Sequence, residues 1–199
     1  MTAVGADDRG ASLAELLTSL LFLAIVSAIS YTFVRAAFMS AQRQAAKGEA
    51  QEVTLATIDL LARDVRMAGF SAAAAPLAGL RAAGSEYVEV VCDLNGDGDV
   101  ADSNEQIAYS YDAPARQLMR ATGGSSPQPV ARNVSSVRFG YVDGNGTSIG
   151  PLVGGLSPEQ RARVRRVDVE LTVELPNPEA AAGRALTSTA TTSIQLRNR

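Results

Sequence analysis

The sequence predicts an α+β protein: a long N-terminal α-helix, its first half transmembrane, packed on an antiparallel β-sheet head. Three observations carry that prediction. An uncharged apolar run fills Leu16–Val34, a helix-forming stretch extends it with no proline before Pro76, and from about Tyr87 apolar and polar residues alternate.

The apolar run reads LLTSLLFLAIVSAISYTFV, with Glu15 before it and Arg35 after it. As a helix these residues reach roughly 28 Å, close to one hydrocarbon core. A secretory signal peptide is the competing reading. The preceding residues set Asp7 and Asp8 against Arg9, the run exceeds an ordinary signal core, and no A-x-A cleavage site follows Val34 before the helical pattern resumes. A buried helix of a soluble protein is the other alternative, and the run is long for one. A membrane span over about residues 13–35 fits best.

From Ala36 to Phe70 the chain is rich in Ala, Gln, Glu, Arg and Leu, all good helix formers. Val53, Ala56, Leu60 and Met67 recur at helical spacing, and Thr54, Ile58 and Leu61 widen the apolar face. Glu49, Glu52, Asp59 and Arg63 supply the wet side, with Asp59 and Arg63 in favourable i,i+4 order. Gly48 interrupts and Gly69 is the expected end. One helix of about 55 residues is far above globular length, so it is a span, a coiled coil or a stalk. A loop of small residues, SAAAAPLAGLRAAGS, should follow.

Beyond it the period is two. Val88, Val90 and Cys92 share one face; Ile107, Tyr109 and Tyr111 form a second strand; Gln117–Met119 form a short third after the turn at Asp112–Ala115. Val137, Phe139 and Tyr141 lead into the turn Asp143–Gly146. Val167, Val169, Leu171, Val173 and Leu175 alternate with Asp168, Glu170, Thr172 and Glu174, and a Thr-rich strand runs from Leu186 to Leu196. Such half-buried strands need a cover, and the distal half of the helix is the candidate.

Composition narrows function. The 199 residues are 46% hydrophobic and 20% charged, with formal charge −3, no His, no Trp and one Cys. Without His there is no Ser-His or Cys-His nucleophilic pair and no ordinary catalytic zinc site. One Cys excludes an intramolecular disulfide and a CxxC site. The charge balance provides no positive field for nucleic acid. Cys92 reads as a small buried hydrophobe. The cluster RARVRR (161–166) reads as a solvated face beside Glu159, Asp168 and Glu170, with contact to anionic lipid, DNA or an acidic partner as the alternative.

The segment Arg9-Gly10-Ala11-Ser12-Leu13-Ala14-Glu15-Leu16-Leu17 resembles the class III signal of type IV prepilins and type II secretion pseudopilins. Leu61–Phe70 (LARDVRMAGF) and Ser193–Arg199 (SIQLRNR) are similar to PilW-like minor pilins and, more loosely, to J-type pseudopilins. Ala11 departs from the family's usual Phe. The resemblance implies a type IV pilin-like fold, with a leader over 1–10, a helix over 11–69 and a head over 70–199. It implies cleavage between Gly10 and Ala11 by a prepilin peptidase, and methylation of the new amine. The implied function is a minor pilin that primes, caps or joins a filament, with other pilins and an inner-membrane assembly platform as partners. The implied location is the inner membrane, N-terminus cytoplasmic and head periplasmic, then the filament or cell surface. A minor pseudopilin of type II secretion is the alternative within the class. Arg9 on one side of the span, against Arg35 and Arg43 on the other, leaves orientation to the resemblance.

Glu15 has a physical reading of its own. A carboxylate beside an apolar run is costly unless paired. Cleavage after Gly10 would place an amine one turn away, on the same chain or a packed neighbour, and the pair would set assembly register. Glu15 as a first-turn acid at the membrane surface is the simpler alternative.

The other informative segment is Asp93-Leu94-Asn95-Gly96-Asp97-Gly98-Asp99, continuing to Glu105. Asp93, Asn95, Asp97 and Asp99 follow the odd positions of a calcium loop, with Gly98 at the turn. Position twelve is Asn104 and Glu105 comes one place late, so an EF-hand is rejected. A hairpin-borne Ca2+ site of Asp93, Asn95, Asp97, Asp99 and Glu105 is one expectation; a solvated turn of the same composition is the other. Two further functional classes follow: a membrane-anchored calcium-binding recognition module, and an enzyme built on carboxylates alone, which is strongly disfavoured.

Overall fold

A computed structural model describes residues 12–73, 76–150, 154–177 and 185–197. It is α+β: one long N-terminal apolar helix and two antiparallel sheets. The chain divides into two units, Met1–Gln44 and Ala45–Arg199.

Helix α1 (Leu13–Arg66) runs through both units. Ser12 caps it: the Glu15 amide donates to the Ser12 hydroxyl at 3.3 Å and to its carbonyl at 2.9 Å. In the first unit every described residue from Ser12 to Phe38 is exposed. It is the one helix among the described residues long and apolar enough to cross a membrane. The helix stops at Arg66, three residues before the expected Gly69, in tight turns from Asp64 to Phe70.

In the second unit α1 buries Ala50, Thr54, Thr57, Ile58, Leu61, Ala62, Asp64 and Val65. Thr54, Ile58 and Leu61 lie on the expected face, but the rest of it is corrected: Ala56 is exposed, and Val53, Leu60 and Met67 are only half-buried. The seam uses Ala and Thr, and the Thr54 and Thr57 hydroxyls donate to the carbonyls of Ala50 and Val53 at 2.6 and 2.7 Å. Those back-bonds satisfy the hydroxyls, so a threonine can lie in a dry seam that a count of large apolar residues overlooks.

The first sheet is a five-stranded meander: β1 (Leu80–Ala83), β2 (Tyr87–Val91), β3 (Gln106–Asp112), β4 (Gln117–Thr122) and β5 (Gln128–Arg132), paired in that order. The second holds β6 (Val134–Asp143), β7 (Val164–Leu175) and β8 (Leu186–Gln195), with the short helix α2 (Pro158–Arg163) before β7. Val167, Val169, Leu171 and Val173 of β7 are essentially inaccessible. Full burial of each contributes about 1.5–3 kcal/mol. Both sheets and the distal part of α1 share one core.

Three elements differ from the sequence expectation. β1 lies inside the expected small-residue loop; its backbone pairing to β2 supplies what its side chains do not. β5 contains Pro129 and is an edge strand, where a missing donor is tolerated. α2 carries a capping box of Ser157 and Gln160 with Pro158 in its first turn, a signal present in the sequence.

The sheets are stitched by tyrosines. The Tyr141 hydroxyl donates to the carbonyls of Gly84 (3.0 Å) and Tyr87 (3.2 Å), and the Tyr111 hydroxyl to those of Val134 and Ser135 at 3.0 and 3.1 Å.

Candidate functional site

Gly10 and Ala11, the expected processing pair, lie outside the described residues. Glu15 is exposed in the first turn of α1, where a carboxylate faces the positive end of the helix dipole. Its carbonyl accepts from Thr18 and Ser19 hydroxyls at 2.9 and 2.8 Å, so the polar groups near the helix head are turned back onto the backbone.

The acidic loop joins β2 to β3 beside the C-terminal end of α1. Backbone bonds hold it there. The Asp93 amide donates to the Phe70 carbonyl at 2.8 Å, the Ala72 amide to the Asp93 carbonyl at 2.9 Å, and the Gly69 amide to the Val91 carbonyl at 2.9 Å. Asp93 is buried, and its carboxylate accepts from the Ser71 hydroxyl at 3.0 Å and the Gly96 amide at 2.6 Å. It is therefore a strut between the helix exit and the loop.

Beyond Asp93 the side chains fold the loop back on itself. Asn95 accepts from the Asp97 amide (2.9 Å), Asp97 from the Asp99 amide (3.0 Å) and Asp99 from the Ala101 amide (2.8 Å). Gly98 turns the loop at φ +86°, a conformation that disfavours any side chain. The Asn95 amide nitrogen donates to both Asp97 and Asp102 at 2.8 Å.

Asp97, Asp99 and Glu105 each place a carboxylate oxygen within 4.8 Å of the other two. Two are exposed and Glu105 is 1% exposed. Glu105 Oε1 accepts from the amides of Leu94 (2.7 Å) and Asn95 (3.3 Å), while the buried Oε2 has no donor. Of the five expected metal residues the structure thus clusters three carboxylates. Asp93 stands apart from that cluster, and Asn95 presents its nitrogen to Asp97.

The charges leave their mark on neighbouring groups. Glu105 raises the Asp102 carboxyl above its ordinary value, with smaller additions from slight desolvation and from Asp97 and Asp99. Asp97 is held below the usual range by the Asp99 amide and the Asn95 side chain. Burial, then Glu105, Asp64 and Asp93, push the Cys92 thiol up. Cys92 is buried, with its sulfur 3.7 Å from the Glu105 carbonyl.

Sequence reasoning missed a second polar centre. Asp64 of α1 is buried and accepts from Tyr109 of β3 at 2.6 Å and Arg120 of β4 at 2.8 Å. No local signal singles it out, because the three residues are scattered over three elements. The expected basic patch is also bound into the fold. Arg163 pairs with Asp143 at 3.0 Å, and Arg166 with Asp168 at 3.0 Å. The Asp143 carboxylate also accepts from the amides of Asn145 and Thr147, so the turn Asp143–Gly146 is built around it. The Thr147 bond foremost, then Asn145 and Arg163, hold its carboxyl below the ordinary range.

Among solved structures the chain is similar to the type IV-like pilin TTHA1219 from Thermus thermophilus. The identity is 16% and the TM-score 0.47, over 74% of this chain and 96% of that one. No family model matches the chain, and no curated protein matches it.

Proposed function

We propose that this protein is a structural subunit of the type IV pilin class, of the PilW-like minor kind, which primes, caps or joins a filament after prepilin peptidase removes residues 1–10. The observation that supports this reading is the uncovered half of α1. Residues 16–34 carry no charge, every one is exposed, and Glu15 stands at their head. An apolar helix of this length has no stable place in water. It needs a bilayer before assembly and neighbouring stems afterwards, and the same face serves in both.

In this reading the span sits in the inner membrane with residues 1–10 cytoplasmic and the head in the periplasm. Extraction into the filament exchanges lipid for the helices of other pilins, under the action of an assembly platform. Glu15 is left in an apolar bundle and is neutralised by the amine that cleavage creates at Ala11, on its own chain or on a neighbour. The subunit catalyses nothing; its work is packing.

Intact-mass analysis tests this. Co-expression with a prepilin peptidase should remove ten residues and add one methyl group, and Gly10→Ala should block both. An unchanged mass for the unmodified sequence overturns the reading.

A further inference from the structure

We infer that the β2–β3 loop is a binding site for one hard divalent cation of the calcium class, held by Asp97, Asp99 and Glu105, and that the ion fastens the exit of α1 to β2. Two independent observations carry this. The first is the geometry of the three carboxylates, whose oxygens lie within 4.8 Å of one another. Two oxygens on one calcium, each at about 2.4 Å, are separated by at most about 4.8 Å, so the three fit a single ion.

The second is Glu105. Its residue is 1% exposed and its Oε2 has no donor, although buried carboxylate oxygens are ordinarily satisfied. Oε1 is fixed by two amides of the same loop, at Leu94 and Asn95, which aims the carboxylate under the loop. A buried acid with a bare oxygen, next to two further acids, is the arrangement a cation relieves. Calcium accepts about six to eight oxygens, including carbonyls and water. Three carboxylates supply the charge, and the exposed side of the loop admits the rest. Rotation of the Asn95 amide would present its oxygen in place of its nitrogen.

The clasp follows from where the loop is tied. Asp93 joins it to Phe70, Ser71 and Ala72 through two backbone bonds and one side-chain bond. An ion that stiffens residues 94–105 therefore stiffens the junction where the chain leaves the C-terminal end of α1.

This inference does not rest on the pilin reading, and the two fail separately: one by metal binding, the other by peptidase processing. The test uses the full chain in detergent micelles, titrated with CaCl2 by calorimetry after chelator treatment, with hydrogen exchange read at Ala72 and Asp93. One Ca2+ should bind with Kd below about 1 mM. The double variant Asp97→Asn/Asp99→Asn, at exposed positions, should weaken binding at least about tenfold, which is about 1.4 kcal/mol. Glu105→Gln should do the same. Calcium should slow exchange at Ala72 and Asp93. Absence of binding at millimolar calcium overturns the site, as does binding that the double variant leaves unchanged. Binding without slower exchange overturns the clasp.

Discussion

Asp64 and Arg120 form a 2.8 Å ion pair that joins α1 to the five-stranded sheet, with the Asp64 side chain 8% exposed and that of Arg120 27% exposed. Tyr109 completes it from the neighbouring strand. Burial is the largest influence and works against the Arg120 charge, but the Asp64 bond and charge, together with Tyr109, outweigh it and raise the guanidinium. Removing one partner of such a pair leaves the other charge uncompensated. Arg120→Ala should destabilise the head by about 3 kcal/mol, at the low end of the range for buried pairs because Arg120 is partly in water. Asp64→Asn should cost less, since an amide still accepts from Tyr109. Urea unfolding followed by near-ultraviolet circular dichroism, with the double variant closing the cycle, measures the coupling. Additive single effects would show that the pair contributes nothing.

Alkaline pH should unfold the head through its tyrosines. Burial raises the Tyr109 and Tyr141 hydroxyls well above the ordinary phenol value, with Asp64 adding to the effect at Tyr109. In the unfolded chain both ionise near pH about 10. Each contributes stability that is fully present below that pH and is lost as pH rises toward the folded value. Stability should fall by about 1.4 kcal/mol per pH unit per tyrosine above pH about 10. Tyr109→Phe should halve the slope of the urea midpoint against pH. A flat midpoint contradicts the prediction.

Gly123 and Gly124 separate crowding from backbone strain. Both have positive φ, +54° and +70°, but a Cβ on Gly123 would fall 2.2 Å from the Ser103 Cα, whereas one on Gly124 meets nothing within 4 Å. Gly124→Ala should cost about 1–2 kcal/mol, the strain alone. Gly123→Ala should cost clearly more, since the acidic loop must move away from β4. Thermal midpoints of the two variants provide the comparison, and equal shifts would show that the loop yields freely.

Glu15 should matter for assembly and not for insertion. If the pilin reading holds, Glu15→Leu is inserted and cleaved normally. Its incorporation into filaments should fall at least about tenfold, equivalent to about 1.4 kcal/mol. Quantitative blotting of sheared filaments against membranes decides it; unchanged incorporation removes the register role.

Periodicity made much of the fold legible. The alternation Val167–Leu175 is a pattern set by burial in the head, and the apolar run of α1 is legible from its length and composition alone. β1 and β5 were hidden because an edge strand is held by backbone bonds, which leave little trace in side chains. The seam of α1 is legible at Thr54, Ile58 and Leu61 but not at Ala50, Thr57 and Ala62, whose small side chains leave no apolar pattern. The acidic loop was recognisable from its spacing. The different duties of Asp93 and Glu105 were not, since one meets Ser71 and the other turns under Leu94 only once the chain has folded. Asp64, Tyr109 and Arg120 meet only through the tertiary fold.

Cys92 is the sole cysteine of the chain, and it lies under the acidic loop at the end of β2 with a thiol that burial keeps protonated. A hidden neutral thiol reacts only when its surroundings open. Its rate of modification is therefore a built-in clock for breathing at the helix–sheet junction. A cysteine introduced at any exposed position would then be the one fast-reacting group, so a probe could be placed on the head without first removing a native residue.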